Sequence, residues 1–255
     1  MLGLLFKTSK REKEILDSLR ELRALPADAI QNAKGGLSSP IVDGYVTPEP
    51  IMSIYAKAHQ NDVPLIVGWN KDDKLMGPPA KADAFREQVK KRFGDKSDAF
   101  LAAYPAQNDA EAAQSQGNSN RDESFGIQDY TWANMQVKTG KAPVYMYNFD
   151  RQVPAATPES QFGAFHSGEI VYAYNNLHTL NRPWEPIDQH IADVMSSYWV
   201  NFAKTGNPNG TSLPNWPAYS SDAERIMIID KTIDSAPLPT KPQLAFWEAY
   251  YGVGN

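Results

Sequence analysis

VPLIVGWNKDD, residues 63–73, is the stretch of sequence that decides the fold. Its apolar part, 63–69, is rich in branched side chains and predicts a strand buried on both faces, as in a parallel sheet. The strand leads directly into Asp72 and Asp73, and functional groups of open α/β sheets lie just beyond the carboxyl ends of the strands. Taken alone, the two carboxylates could orient a histidine or bind a metal, but a helix cap or a solvated turn is the simpler interpretation.

A second apolar run, PVYMYNF (143–149), predicts another buried strand. A proline-containing loop follows and leads to GAFHSGEIVYAYNN (163–176), where His166 lies among small residues. A histidine in a loop beyond a strand end is accessible to a substrate, although most isolated histidines are surface or satisfied core groups. The other three histidines, at positions 59, 178 and 190, are assigned no role.

The remaining periodicity predicts mostly helices. Amphipathic patterns predict helices over 10–24, 81–93, 187–204 and 241–251, a short strand over 225–230, a loop over 35–50, and a mostly helical stretch over 96–137. In that last stretch Trp132 and Met135 are expected to face inward. The sum is an α/β fold with a parallel-rich sheet and flanking helices, but three strands are few for a chain of this length.

Composition describes an ordinary globular chain of 255 residues, with 42% hydrophobic and 22% charged side chains. A net charge of −5 gives no electrostatic attraction for nucleic acid, and no apolar run is long enough for a membrane span. Because the chain has no cysteine, disulfides, thiolate metal ligands and a cysteine nucleophile are excluded. The opening MLGLLFKTSK does not have the pattern of a signal peptide, and the sequence leaves the localisation unknown.

A strand-end acid followed by a strand-end histidine matches the last two members of the α/β-hydrolase order, serine, acid, histidine. At these residues the sequence resembles the carboxylesterase type B family, which includes the para-nitrobenzyl esterases and the cholinesterases. The resemblance rests on segments that occur in family order and cover nearly the whole chain from about residue 20. They are VDGYVTPEP (42–50), VPLIVGWNKDD (63–73), GAFHSGEIVYAYNNL (163–177), YWVNFAKTGNPN (198–209), WPAY (216–219) and the terminal FWEAYY.

The resemblance implies roles for individual residues. His166 matches the catalytic histidine, and Asp73 matches the triad acid, where the family usually has glutamate. Because aspartate is one methylene shorter, the loop must approach His166 more closely, or Asp72 or another acid such as Glu169 serves instead. Glu169 matches the acidic residue that usually follows the histidine, and we interpret it as support for the site, with helix capping as the alternative. Lys74 replaces the usual glycine of the acid turn. The resemblance implies neither a metal nor a cofactor.

The nucleophile motif G-x-S-x-G is absent from the sequence. Two imitations of it are Gly36–Pro40 and Gly117–Arg121, which end in proline and arginine instead of glycine. The resemblance therefore implies the C-terminal half of a longer serine esterase, a single partial α/β-hydrolase domain over 1–255. Its parts would be an acid strand and turn (63–76), a helical insertion (81–140), the last core strand with the histidine loop (143–170), and C-terminal helices with a late strand (185–251).

Such a chain would be inactive alone, and it would expose a strand edge and an apolar face. The expected partners are a small ester substrate and either the N-terminal half of the same esterase or a second copy that covers the sheet. Two alternatives remain open. One is a non-catalytic, cholinesterase-like protein-binding module, and the other is an inactive truncated fragment.

Overall fold

A computed structural model of the chain describes residues 10–33, 41–73 and 78–253. The chain divides into two compact units, Met1–Ile51 and Met52–Asn255. In the first unit the helix predicted over 10–24 is α1 (Lys10–Arg23), followed by α2 (Ala27–Gln31). The loop predicted over 35–50 falls partly outside the described residues, and so does the end of the predicted acid turn, 74–76.

The second unit contains a four-stranded sheet in the order β1-β2-β3-β4. Its strands are β1 (Leu65–Asn70), β2 (Val144–Phe149), β3 (Arg225–Ile229) and β4 (Ile233–Pro237). The first three are parallel to one another, and β4 is antiparallel to β3. β1 pairs with β2 along its whole length, from Leu65 opposite Val144 to Asn70 opposite Phe149. Among the described strands β1 lies at one edge of the sheet, and the carboxyl ends of β1 and β2 lie side by side.

Ten α-helices are assigned within the described ranges. Besides α1 and α2 they are α3 (Ile51–Ala56), α4 (Ala82–Phe93), α5 (Ser97–Ala103), α6 (Asp109–Arg121), α7 (Ile127–Thr139), α8 (Ile170–Ala173), α9 (Pro186–Thr205) and α10 (Lys241–Tyr251). Between α6 and α7 the chain makes one π-helical turn, Asp122–Gly126. The insertion between β1 and β2 is therefore helical, as predicted.

The sheet separates two cores, since alternate side chains of a strand point to opposite faces. On one face Val67 and Met146 pack with residues of α4 to α7 and α10. On the other face Tyr145, Tyr147 and Phe149 pack with α8, α9 and the fully buried Trp216. Burial on both faces explains why the strand sequences read as continuous apolar runs.

Close packing of β1 against β2 depends on Gly68, which lies opposite Tyr147. A Cβ added at Gly68 would lie 2.2 Å from the carbonyl oxygen of Tyr147 and 2.5 Å from its ring. No side chain fits there without moving the strand, so the glycine allows the tyrosine ring to lie across β1.

The predicted fold class, a parallel-rich α/β sheet with flanking helices, is confirmed. One detail is wrong: Trp132 is 43% exposed, and its indole N–H donates to the hydroxyl of Tyr55. The buried position on α7 is taken by Gln136, whose amide donates to Asp62 at 3.0 Å. β4 was not predicted, and the single domain over 1–255 stays a prediction.

Candidate active site

Two loops meet at the carboxyl edge of the sheet, one after β1 and one after β2. The acid turn, Lys71–Asp73, and the histidine loop, Gly163–Glu169, are joined by a parallel bridge between Asp72 and Phe165. The N–H of Asp72 donates to the carbonyl oxygen of Ala164 at 3.0 Å, and the N–H of Ala164 donates back to the Asp72 carboxylate at 2.9 Å. The bridge thus fixes the register of one loop on the other.

This register brings His166 and Asp73 into contact. The imidazole Nδ1 lies 2.7 Å from Oδ1 of Asp73, whose side chain is 6% exposed, while the side chain of His166 is 64% exposed. Because a carboxylate can only accept hydrogen bonds, the pair assigns the proton to Nδ1. Nε2 is then left with its lone pair, ready to accept a proton.

The two adjacent acids have different contacts. Asp72 holds the backbone of the histidine loop through Ala164, whereas Asp73 contacts the imidazole itself. The backbone N–H of Asn70 donates to the other oxygen of Asp73 at 3.2 Å, which orients the carboxylate. Of the two acids, Asp73 has the geometry of a histidine-orienting group.

Asn70, to which the sequence assigned no role, ties the two loops together. It is buried, and its side-chain amide donates to the carbonyl oxygen of Phe165 at 2.7 Å and to the carboxylate of Glu169. Glu169 immediately precedes α8 but makes no side-chain capping bond to that helix. Its contact is therefore to the end of β1, one residue position from the acid turn. That Glu169 supports catalysis stays a prediction.

Backbone conformation explains the small residues that precede His166. Gly163 has φ +72°, and a Cβ at that position would lie 2.0 Å from the Asp72 carboxylate oxygen. Only glycine combines this left-handed conformation with so close an approach. Ser167, directly after His166, also has a positive φ, +67°, an uncommon conformation for a residue with a side chain. The loop is thus turned sharply on both sides of the histidine.

An aromatic ring from the helical insertion covers one face of the imidazole. Phe125 stacks on His166, with the ring centroids 5.0 Å apart and the planes inclined by 26°. Phe125 lies in the π-helical turn between α6 and α7. The neighbouring Arg121 donates to the carbonyl oxygen of Lys71 at 2.8 Å, so the insertion also contacts the acid turn. No local sequence signal links Phe125 with a histidine about forty residues later.

A further carboxyl, that of Asp129, lies one helical turn beyond Phe125. Burial raises its pKa to about 7, and the negative charge of Asp73 adds to the effect. Asp129 is partly buried at the start of α7. A carboxyl group that titrates near neutral pH therefore lies close enough to feel the charge of the acid turn.

Replacing Asp129 with Asn is expected to stabilise the fold at alkaline pH. In the unfolded chain an aspartate ionises near pH 4, whereas the folded-state pKa of Asp129 is about 7. The cost of the buried charge is therefore absent below about pH 4, grows between about pH 4 and 7, and is constant above that. Urea unfolding should show Asp129→Asn to be more stable than the wild type by about 2 kcal/mol at about pH 8, with no difference at about pH 4. An equal difference at both pH values would instead assign the effect to packing.

The other candidate groups are not at this site or lie outside the described residues. The serine of the imitation Gly117–Arg121 lies within α6, where a nucleophile elbow has no place, and the imitation Gly36–Pro40 and Lys74 lie outside the described residues. No group of three or more metal-ligating side chains occurs within the described ranges. Across the same ranges, no helix has the length and apolar character needed to cross a membrane.

A parallel-rich sheet with an acid and a histidine at its carboxyl edge defines the α/β-hydrolase class of protein. Within that class the chain belongs to the carboxylesterase family, whose sequence model matches residues 6–247. The resemblance found in the sequence is thereby confirmed.

Individual relatives agree with this assignment. The chain is 27% identical to carboxylesterase 1D of Rattus norvegicus over 93% of its length, which is 46% of that protein. It is 29% identical to the para-nitrobenzyl esterase of Bacillus subtilis over 81% of its length, which is 42% of that enzyme. Fumonisin B1 esterase of Sphingopyxis macrogoltabida is 29% identical over 72% of the chain and 36% of its own length. The chain thus spans less than half the length of these curated relatives.

Proposed function

We propose that this chain supplies the acid and the general base of a serine carboxylesterase whose nucleophile is carried by polypeptide outside this sequence. The contact between Nδ1 of His166 and Oδ1 of Asp73, 2.7 Å long at the carboxyl edge of a parallel sheet, carries the proposal. Membership of the carboxylesterase family and the names of the relatives support ester hydrolysis as the reaction. The absence of G-x-S-x-G from the sequence supports a nucleophile on another polypeptide.

In the proposed mechanism Asp73 holds the proton of His166 on Nδ1, which leaves Nε2 free to act as base. Nε2 takes the proton of the incoming serine hydroxyl as the serine oxygen attacks the ester carbonyl carbon. The imidazolium then returns that proton to the leaving alcohol, and the acyl-serine forms. A water molecule repeats the sequence on the acyl group and releases the carboxylic acid and the serine.

The exposed edge of the sheet is evidence for a polypeptide partner, in addition to the ester substrate. β1 is an edge strand among the described strands and has the apolar sequence of a central one. An unprotected apolar edge of this kind favours pairing with another strand. We propose the nucleophile-bearing half of the esterase as its partner. Gel filtration that shows a monomer of the chain at high concentration, unchanged by that half, would contradict the pairing.

Reconstitution tests the function. The chain is mixed with a polypeptide that carries the nucleophile elbow, either the segment encoded upstream or the corresponding part of the Bacillus subtilis relative, and hydrolysis of para-nitrophenyl acetate is measured. We expect turnover in the mixture, none above background for the chain alone, and loss of turnover with His166→Ala. A fluorophosphonate probe should label the serine of the partner and leave this chain unlabelled.

Each opposite result has a definite meaning. Equal hydrolysis with His166→Ala would show that the histidine is not the base. Turnover by the chain alone that depends on His166 would show that the nucleophile lies within it. Stable association of the two polypeptides without turnover would favour the non-catalytic binding module, which keeps the fold but not the reaction.

A further inference from the structure

The imidazole of His166 is held at one edge by a hydrogen bond and at one face by a ring. Nδ1 contacts Asp73, and the ring of Phe125 lies parallel to the imidazole within 26°. A hydrogen bond at one atom leaves a largely exposed ring free to swing about that point. A flat aromatic surface over one face opposes this swing, because tilting the imidazole would bring it into the neighbouring ring.

Buried hydrogen bonds anchor the turn that carries Phe125. The turn Asp122–Gly126 is π-helical, a local widening that often occurs at functional sites of helices. At its start the buried carboxylate of Asp122 accepts two hydrogen bonds from Arg121, at 2.7 and 3.0 Å, and one from Tyr104 at 2.9 Å. The hydroxyl of Tyr104 in turn accepts the indole N–H of Trp247 at 2.8 Å. These bonds anchor the turn to the core of the insertion.

The same anchor reaches the acid turn. Arg121 is buried, and it donates to the carbonyl oxygen of Lys71, two residues before Asp73. One short segment of the insertion therefore contacts both the acid turn, at Lys71, and the histidine. Arg121 contacts the strand end that carries the acid, and Phe125, one turn later, contacts the histidine.

We propose that Phe125 is a positioning residue, whose ring restricts His166 to the orientation in which Nδ1 faces Asp73. The inference rests on the proposed function, since it concerns the base of the same site. Phe125 contacts the imidazole, so it acts through His166. Without the ring the histidine would keep its partner for only part of the time.

Nuclear magnetic resonance on the full chain tests this without any ester turnover. The chain is labelled with ¹³C,¹⁵N-histidine. Two quantities are measured for His166, the order parameter of its Cε1–H bond and the signal of its Nδ1–H proton. For Phe125→Leu we expect the order parameter to fall from about 0.85 to below about 0.6, and the Nδ1–H signal to broaden through exchange with water. Phe125→Tyr, which keeps the ring, should restore both to wild-type values.

The matched control is Trp132→Leu, which removes an aromatic ring from α7 that is 43% exposed and bonded to Tyr55. It should leave both His166 signals unchanged. If Phe125→Leu fails to fold, Phe125→Met fills a similar volume without a flat ring, and the same loss of order is expected. An order parameter and an Nδ1–H signal like those of the wild type in the folded ring-less variant would overturn the inference.

A kinetic measurement separates this inference from the proposed function. In the reconstituted esterase, Phe125→Leu should lower kcat by about tenfold with little change in KM, because the base is oriented for less of the time. If reconstitution gives no turnover while the His166 imidazole still loses order in Phe125→Leu, the proposed function fails and the positioning role of Phe125 stands. If turnover depends on His166 while Phe125→Leu changes neither kcat nor the order parameter of the His166 imidazole, only the positioning role of Phe125 fails.

Discussion

Asp73→Asn in the reconstituted esterase is expected to lower kcat on the order of 10⁴-fold. The amide that replaces the carboxylate can donate to Nδ1, which lies 2.7 Å from the present Oδ1. The imidazole proton then moves to Nε2, so the nitrogen that should accept the serine proton is already protonated. Hydrolysis of para-nitrophenyl acetate, measured with saturating partner polypeptide, gives kcat directly.

Asp72→Asn is the matched control, because it makes the same chemical change one residue earlier. Asp72 accepts a hydrogen bond from the backbone of Ala164 and does not contact the imidazole, and an asparagine oxygen can still accept that bond. We expect less than a tenfold loss of kcat from Asp72→Asn. If instead Asp72→Asn is the more damaging of the two, Asp72 is the working acid and the assignment of Asp73 is wrong.

Arg151→Met is expected to have the largest effect on stability. Arg151 lies beyond the end of β2 and binds the fully buried carboxylate of Asp188 through two hydrogen bonds, at 2.7 and 3.1 Å. It also donates to Glu185 at 2.6 Å. Removing one partner of a buried ion pair leaves the other charge uncompensated, which costs about 3–5 kcal/mol. Urea unfolding at about pH 7 measures this loss.

The pH dependence of that loss has a definite sign. Burial alone would raise the pKa of Asp188, but hydrogen bonds from Arg151, the Glu185 amide and Tyr172 outweigh it and hold the pKa below its usual value. The stabilisation by the ionised Asp188 is therefore present above its unfolded-state pKa, about 4, and is lost as the pH falls through the lowered folded-state pKa. The wild type and Arg151→Met should accordingly converge in stability in acid.

Two variants define what this result means. The double variant Arg151→Met, Asp188→Asn should recover much of the lost stability, because it no longer buries an unpaired charge. Lys81→Met removes one member of the exposed pair with Asp109 and should leave the unfolding midpoint nearly unchanged. A midpoint shift in Arg151→Met no larger than that of Lys81→Met would contradict the importance of the buried pair.

The predicted strands were found because continuous apolar runs require burial on both faces. The same rule could not find β4, because its sequence Ile-Asp-Ser-Ala-Pro is not a continuous apolar run. β4 is antiparallel to β3 and lies at the edge of the sheet. The helical pattern over 96–137 placed Trp132 inside, whereas the structure leaves Trp132 exposed and buries Gln136. A buried glutamine is stable because its amide finds Asp62, and such a distant hydrogen-bond partner has no local sequence signal.

The sequence pointed to candidate residues for the site but not to the contacts between them. The order of an acid and a histidine along the chain, together with the family resemblance, pointed to Asp73 and His166. Which of the two adjacent acids contacts the imidazole depends on the bridge between Asp72 and Phe165, a register that is set by tertiary packing. The stacking of Phe125 on His166 also depends on tertiary packing. A helical sequence pattern does not indicate which side chain of a distant loop a helix residue will contact.

The reciprocal bonds between Asp72 and Ala164 join the two loops within one polypeptide. In the proposed enzyme the base is consequently assembled before any serine arrives, and a serine-bearing partner needs only to dock. Turnover of a chromogenic ester would then count the complexes formed. The hydrolysis rate, plotted against partner concentration, would follow the binding curve of the two polypeptides. Ester hydrolysis would therefore report how much of the complex has formed.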